Sequence, residues 1–363
     1  MVKPYRLEPS PLDDFVISGK CNMIIDGQFG STGKGLIASR LAFDNTVHLS
    51  VGRLSPNAGH TFYFQGKKYV SKMIPVAGII QERSTIYLSA GSVIDLDILY
   101  KEMEEFDIGP ERLLIHPRAA VITKMDKELE QEQNGVIRIA STQSGSGAAR
   151  ASKIMRSNQL AQGTKELQPY IKTDMEYVQF ILDQGCNVLV ETGQGFDLSI
   201  NHGYSYPHCT SIDVTPAAIL SDLGLHPSYL GNVMMTVRTF PIRVGNPKDA
   251  NGEEIGDSGP VYPDSQELTW EELNQEPELT TVTKRVRRVF TFSKEQYQRA
   301  LKYIKPTHVF LNFINYLTEE DLKTFKFLNK KQKAMMLVGY GPDADQISHM
   351  DPFTLHNYIV KWK

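Results

Sequence analysis

Apolar residues in this chain fall into short runs divided by stretches of helical spacing. Residues 21–25 (CNMII) form such a run and stop at Asp26 and Gly27, the pattern of a buried strand ended by a turn. Past a glycine-rich turn, residues 34–42 (KGLIASRLA) place apolar side chains at helical spacing. Strand, glycine loop and helix in that order open a βαβ unit. Further buried strands are expected at 85–88, 113–116, 187–190, 233–236, 308–312 and 335–338. Amphipathic helices are expected at 95–105, 171–184, 294–304 and 319–328. This alternation predicts an α/β fold, with a mainly parallel central sheet, surrounding helices and long functional loops. Ligands of such sheets collect at the carboxyl ends of the strands, which singles out the turn that follows residue 25.

Three stretches interrupt the rhythm. Residues 139–151 (IASTQSGSGAARA) read as a flexible glycine–serine loop, and 243–279 as a long loop rich in Gly, Pro and acidic residues. Residues 280–292 (TTVTKRVRRVFTF) concentrate cationic and hydroxyl side chains. Loops of this length inside a compact enzyme are usually functional. The first 19 residues carry three prolines and read as an extended arm, leaving 20–363 as one α/β domain.

Composition narrows the function classes. A chain of 363 residues allows two domains or one large α/β unit with insertions. With 41% hydrophobic and 22% charged residues it is not a disordered protein. A net charge of −3 argues against a general nucleic-acid binder. Cys21, Cys186 and Cys209 are too few and too scattered for a disulfide framework, which suggests a reducing cytoplasm. No run reaches the ~18 apolar residues of a membrane span, and the first residues lack the apolar core of a signal peptide.

The turn after the first strand reads GQFGSTGKG over 27–35. Backbone N–H groups and a helix dipole at such a turn favour phosphate, and Lys34 supplies a point charge for a phosphoryl group. Against G-x4-G-K-[ST], Gln28 stands at the first glycine and Gly35 at the Mg²⁺-binding hydroxyl, so the loop is P-loop-like. The plain alternative is a tight turn with a surface lysine. Downstream, Asn57, Gly59, His60 and Thr61 share the turn PNAGHT. His60 can donate to a phosphate oxygen or stabilise developing charge; alone it reads equally as a structural turn residue.

Together, GQFGSTGKG and NAGHT resemble the adenylosuccinate synthetases, whose signatures read roughly GxQWGDEGKG and HNAGHT. The resemblance continues from about residue 22 to 345. Residues 141–147 (STQSGSG) are similar to the family's threonine–glycine loop, 190–195 (VETGQG) to its FEGAQG, and 202–210 (HGYSYPHCT) to its HGTYPYVT. Residues 236–245 and 280–288 resemble the stretch ending in its arginine-rich aspartate loop, and Gly341, Pro342 and Asp343 its terminal GPD. Such enzymes phosphorylate the 6-oxygen of a purine nucleotide and let the amine of L-aspartate displace the phosphate.

The resemblance implies a set of roles. Gly30, Ser31, Thr32, Gly33, Lys34 and Gly35 take the triphosphate and Mg²⁺, with the Gly59 carbonyl as a second metal ligand and His60 and Thr61 alongside. His60 acts on the transferred phosphoryl group, and Gln194 belongs to the catalytic set. Asn57, Ser141, Thr142, Gln194, Thr210 and Arg243 fall at the monophosphate nucleotide. Thr281, Thr283, Arg285, Arg287 and Arg288 fall at L-aspartate, and Gly341 and Pro342 at the triphosphate. Arg156 aligns with an arginine that crosses a two-fold axis, implying a homodimer. Arg156 also reads as a solvated helix residue, and Gln194 as a packed turn residue.

Three departures redirect the expected function. The family's aspartate in GDEGKG, a base and metal ligand, is Ser31 here. Serine is smaller, leaves room beside the N1–C2 edge, and can accept from a 2-amino group. It thus suits guanine at the monophosphate site, and the chain resembles the phage members of the family that act on dGMP to make a 2-aminoadenine DNA precursor. Asp26 is then a candidate replacement base, or simply a partner for the loop's N–H groups. Second, the TKLD segment that reads guanine of GTP is Asn312, Phe313, Ile314 and Asn315 here. Asparagine pairs more naturally with adenine, Phe313 can cover the base, and ATP or dATP becomes the expected donor. Third, Val286 interrupts the arginine run, which would suit a deoxyribose. The expected activity is an ATP- or dATP-dependent ligation of L-aspartate to dGMP. The rivals are an ordinary synthetase acting on IMP and a catalytically lapsed nucleotide-binding protein.

Overall fold

A computed structural model describes residues 10, 12–133, 137–157, 159–318, 321, 325 and 334–349. At its centre is a nine-stranded sheet. Its strands run, from one edge to the other, Ile347–His349, Met335–Gly339, His308–Asn312, Leu230–Arg238, Cys21–Asp26, Val188–Gly195, Leu49–Arg53, Thr85–Leu88 and Leu113–Ile115. Every pairing is parallel except that of the Ile347–His349 edge. Central parallel strands are covered on both faces and so read as continuous apolar runs. All six residues of Cys21–Asp26 are buried.

The register sets out the functional end. Asp26 lies opposite Gly195 on one neighbour and Thr236 on the other, so the phosphate turn, Gln194 and Arg238 emerge side by side at the carboxyl edge. The helix Lys34–Asp44 follows the turn and is buried on almost every side. One face meets the sheet, and the other meets the hairpin His60–Phe64/Lys67–Ser71.

Several elements differ from the sequence expectation. The strand Leu49–Arg53 (LSVGR) went unpredicted because Gly52 and Arg53 break its apolar pattern; Arg53 is buried there through Asp222 and the Asp213 carbonyl. The expected flexible loop at 139–151 gives way to the helix Ser146–Met155. It starts at Gly145, whose φ of 82° glycine tolerates. The helix expected over 171–184 is only Tyr177–Asp183. The long loop at 243–279 is as expected, pairing mainly through Glu267–Leu268. The end of the N-terminal arm is docked rather than free. Leu12 and Phe15 are buried, and the Asn45 and Asn232 amides donate to their carbonyls. The helix expected at 319–328 lies outside the described residues apart from Asp321 and Phe325. Among the described residues no helix is long and apolar enough to cross a membrane.

Candidate active site

The phosphate turn is organised from within. Gly30, Ser31 and Gly33 adopt φ of 100°, 57° and 94°, the left-handed region, and a side chain at Gly33 would collide with the Asn312 amide. Asp26, completely buried, holds the turn like a staple. One carboxylate oxygen accepts from Gln28 N (2.8 Å) and Gly30 N (3.3 Å). The other accepts from Thr32 N (3.4 Å), Thr32 Oγ1 (2.6 Å) and Lys34 Nζ (3.3 Å). Lys34 also donates to the Gln194 carbonyl at 3.1 Å. Asp26 therefore serves the turn and lines neither cavity described below. Its geometry is that of a loop organiser, the plainer of its two readings.

His60 is buried beside this turn, and its Nδ1 bonds Glu191 Oε1. The second Glu191 oxygen accepts from Val76 N at 2.7 Å. A carboxylate can only accept, so Nδ1 carries the proton and Nε2 is the ring nitrogen left for the cavity. Glu191 was not singled out from the sequence, although the segment VETGQG contains it. Its pairing with a residue 131 positions away is what gives it a role.

Two adjoining cavities open at this edge. The larger, about 430 Å³, is lined by Ser31, Lys34, Gly59, His60, Thr61, Thr281, Thr283, Arg287 and Phe313, with Gly30, Gly33 and Gly35. The smaller, about 340 Å³, is lined by Ser141, Thr142, Thr210 and Arg243. Phe29, Asn57, Thr142, Gln194, Leu198 and Val244 line both and form their shared wall. Gln194 has a φ of 69° and donates to Asn57 Oδ1 at 3.1 Å. The Arg243 guanidinium lies 4.2 Å over the Phe29 ring and donates to the carbonyls of Ser258, Pro260 and His208. Burial, then Arg288 nearby, lowers its pKa to about 10.

Other expected residues fall elsewhere. Ser31 lines the larger cavity but not the smaller. Thr32 faces inward, bonded to Asp26 and Thr236. The buried Asn312 side chain bonds Thr32 O (3.5 Å) and Phe313 N (2.9 Å), and Asn315 is exposed, so neither lines a cavity. Arg288 is held by Glu267 through two bonds of 2.8 and 2.6 Å and lies outside both cavities, as does Arg285. Of the three expected arginines, Arg287 is the one that lines a cavity; burial lowers its pKa to about 10, with Glu278 opposing. Val286 is exposed and outside both cavities. Gly341 and Pro342 line neither, while Asp343 accepts from Gly66 N of the hairpin at 3.2 Å. Arg156 caps the helix Ser146–Met155, exposed and away from both cavities of its own chain.

Among the described residues no cluster of three or more His, Cys, Asp or Glu is placed to hold a metal. Nucleotide-bound Mg²⁺ needs only one or two protein ligands beside the phosphates and water. Ser31 and Gly59, neutral oxygen donors that share a cavity with Lys34, fit an ion carried in by phosphates.

The family model described as adenylosuccinate synthetase matches residues 23–162 and 153–327. The chain belongs to the adenylosuccinate synthetase family. Within it, the chain is 38% identical over 324 residues to the N6-succino-2-amino-2'-deoxyadenylate synthase of Salmonella phage PMBT28, covering 84% of this chain and 87% of that protein. It is 40% identical over 309 residues to the protein of the same name from Vibrio phage phiVC8, covering 82% and 86%. Among solved structures, it matches the Cyanophage S-2L succinoaminodeoxyadenylate synthetase (PurZ) bound to dGMP and dATP as an energy donor. That match has a TM-score of 0.84 at 34% identity, covering 95% of this chain and 99% of that one.

Proposed function

We propose that this family member is a carbon–nitrogen ligase joining L-aspartate to dGMP, using ATP or dATP. The products are N6-succino-2-amino-2'-deoxyadenylate, ADP or dADP, and phosphate. The observation that carries this reading is Ser31, a neutral hydroxyl on the wall that also holds Lys34 and His60. Among the described residues Glu278 is the one carboxylate lining that cavity, and Arg238 already engages it. A site without a free carboxylate there accepts a 2-amino group, because nothing crowds the N1–C2 edge. The phage relatives, and the dGMP and dATP in the cyanophage structure, support the same substrates.

In this reading the sugar and phosphate of dGMP lie in the smaller cavity, its base reaches across the shared wall toward Ser31, and the larger cavity takes the triphosphate end and the amino acid. The 6-oxygen attacks the γ-phosphorus as N1 gives up its proton, and the diphosphate leaves; the aspartate amine then attacks C6, phosphate departs, and the amine releases its proton, both protons passing to solvent. Lys34 moves from Asp26 and the Gln194 carbonyl onto the transferring group, and His60, its Nδ1–H held by Glu191, acts as the doubly protonated imidazolium and donates to that group through Nε2. Ser31 and the Gly59 carbonyl would hold a Mg²⁺ that accompanies the triphosphate, and the ion would supply neutralisation of charge on the phosphate oxygens. Thr281, Thr283 and Arg287 take the aspartate carboxylates, and Phe313 covers the donor base. The enzyme works in the cytoplasm, that of the host if it is phage-encoded.

Phosphate release with aspartate and ATP, compared over dGMP, GMP and IMP, tests the reading. Fastest turnover is expected with dGMP, and turnover on IMP with none on dGMP overturns it. Ser31→Asp is expected to lower the dGMP rate, and an equal or higher rate counts against the role given to Ser31.

The same reading makes the enzyme a homodimer, with Arg156 reaching the partner's monophosphate. Ile154 and Met155 beside it are each 76% exposed, an apolar surface suited to burial between copies. Arg156→Ala is expected to raise the KM for dGMP about ten-fold or more, with a dimer still seen in sedimentation. A monomer in the unmutated protein, or an unchanged KM, refutes it.

A further inference from the structure

Arg238 plays no part in the steps above, yet among the described residues it is the largest fully buried side chain. It ends the central strand Leu230–Arg238 and touches three parts of the site. Its Nη1 donates to the Ser31 carbonyl of the phosphate turn at 3.3 Å. Nη1 and Nη2 hold both Glu278 oxygens, at 3.2 and 2.5 Å. Its guanidinium lies 3.9 Å over the Phe313 ring. Its backbone is tied to the same turn, since Arg238 N donates to Gln28 Oε1 (2.9 Å) and Gln28 Nε2 to Arg238 O (3.3 Å).

Glu278 begins the segment that carries Thr281, Thr283 and Arg287. Its carbonyl accepts from Arg287 N at 2.9 Å, closing that segment into a loop, and its carboxylate also receives the Tyr316 hydroxyl at 3.4 Å. Burial alone would raise the Glu278 pKa, but the Arg238 guanidinium outweighs it and keeps the group ionised. One guanidinium thus spans the phosphate turn, the ring assigned to the donor base and the base of the acid loop.

We infer that Arg238 and Glu278 are a positioning pair that couples triphosphate binding at the phosphate turn to the order of the 278–287 aspartate loop. This rests on the functional reading above. Occupying the turn fixes Ser31 and Phe313, hence Arg238, hence the loop that must hold aspartate. Removing one member leaves the other charge buried without its partner, and the loop loses its tie to the turn.

Trp270 offers a readout independent of turnover, because its indole donates to the Arg287 carbonyl at 2.8 Å. In a Trp362→Phe background, ATP with Mg²⁺ is expected to shift Trp270 emission, and Glu278→Gln to abolish the shift while calorimetry still finds ATP bound. Arg238→Lys, which keeps the charge but loses the fork, is expected to retain part of it, and serves if Glu278→Gln does not fold. With ATP present, Glu278→Gln should weaken aspartate binding about ten-fold, a coupling usual for linked sites, while the weak aspartate binding measured by calorimetry without ATP changes by less than about two-fold. An ATP-induced shift that survives in Glu278→Gln, no shift in the unmutated loop, or an equal loss of aspartate affinity with and without ATP overturns the pair's role. Turnover on IMP in place of dGMP would overturn only the functional reading, since the emission test needs ATP alone.

Discussion

Replacing His60 by asparagine is expected to lower kcat with dGMP by about 10²–10⁴-fold, the usual worth of a positioned proton donor. The residue is buried and lines the cavity that holds Lys34 and Ser31, with Nδ1 committed to Glu191. Asparagine can still bond Glu191, so folding should be kept while the ring nitrogen facing the cavity is lost. Single-turnover phosphate release separates the effect from binding, and KM for ATP should change little. A kcat within a factor of about three of the unmutated enzyme would falsify the role of His60. Glu191→Gln should give an intermediate loss, because an amide keeps the contact but no longer stabilises the positive, doubly protonated ring that donates through Nε2.

Asp26→Asn should damage the protein differently, through its fold. The Asp26 carboxylate receives three backbone N–H groups, the Thr32 hydroxyl and the Lys34 ammonium, all in the interior. An amide has one acceptor oxygen, so its NH₂ must face donors and Lys34 loses its counter-charge. Breaking a buried ion pair on one side costs about 3–5 kcal/mol. The expected result is a lower denaturation midpoint together with weakened ATP binding, both measurable without turnover. A variant with unmutated stability and ATP affinity but no catalysis would instead make Asp26 the base that takes the N1 proton. Unchanged turnover would leave it neither role.

Both substitutions touch residues that the chain's linear pattern picked out, but with unequal completeness. His60 was visible in NAGHT and Asp26 as the last residue of the first strand. Neither partner set was visible. The loop that was expected to be flexible ends in the helix Ser146–Met155 because Gly145 turns the chain and the alanines after it favour helix. Apart from the interruption at Val286, the arginines at 285, 287 and 288 looked alike in the sequence. In the folded chain, Glu267 of the neighbouring short strand captures Arg288, and Arg287 is left to the cavity. Asn315 looked like the reader of a nucleotide base, yet it is exposed and outside both cavities, while the Asn312 amide packs against Gly33 and bonds Thr32 O and Phe313 N, stiffening the turn from behind.

What the linear chain determined by itself was local: the apolar run of the central strand, the glycine turn, the helix after it, and Ser31 in place of an acid. Each depends on neighbours within a few residues, through conformational freedom at glycine and the spacing of apolar side chains. The tertiary structure decided which polar groups meet. Glu191 reaches His60 across 131 positions and Glu278 reaches Arg238 across 40. Those encounters follow from the parallel sheet, which brings the ends of distant strands to one edge and buries their charges together. No local pattern carries that information, because the cost of burying a charge is felt only once the chain has closed around it.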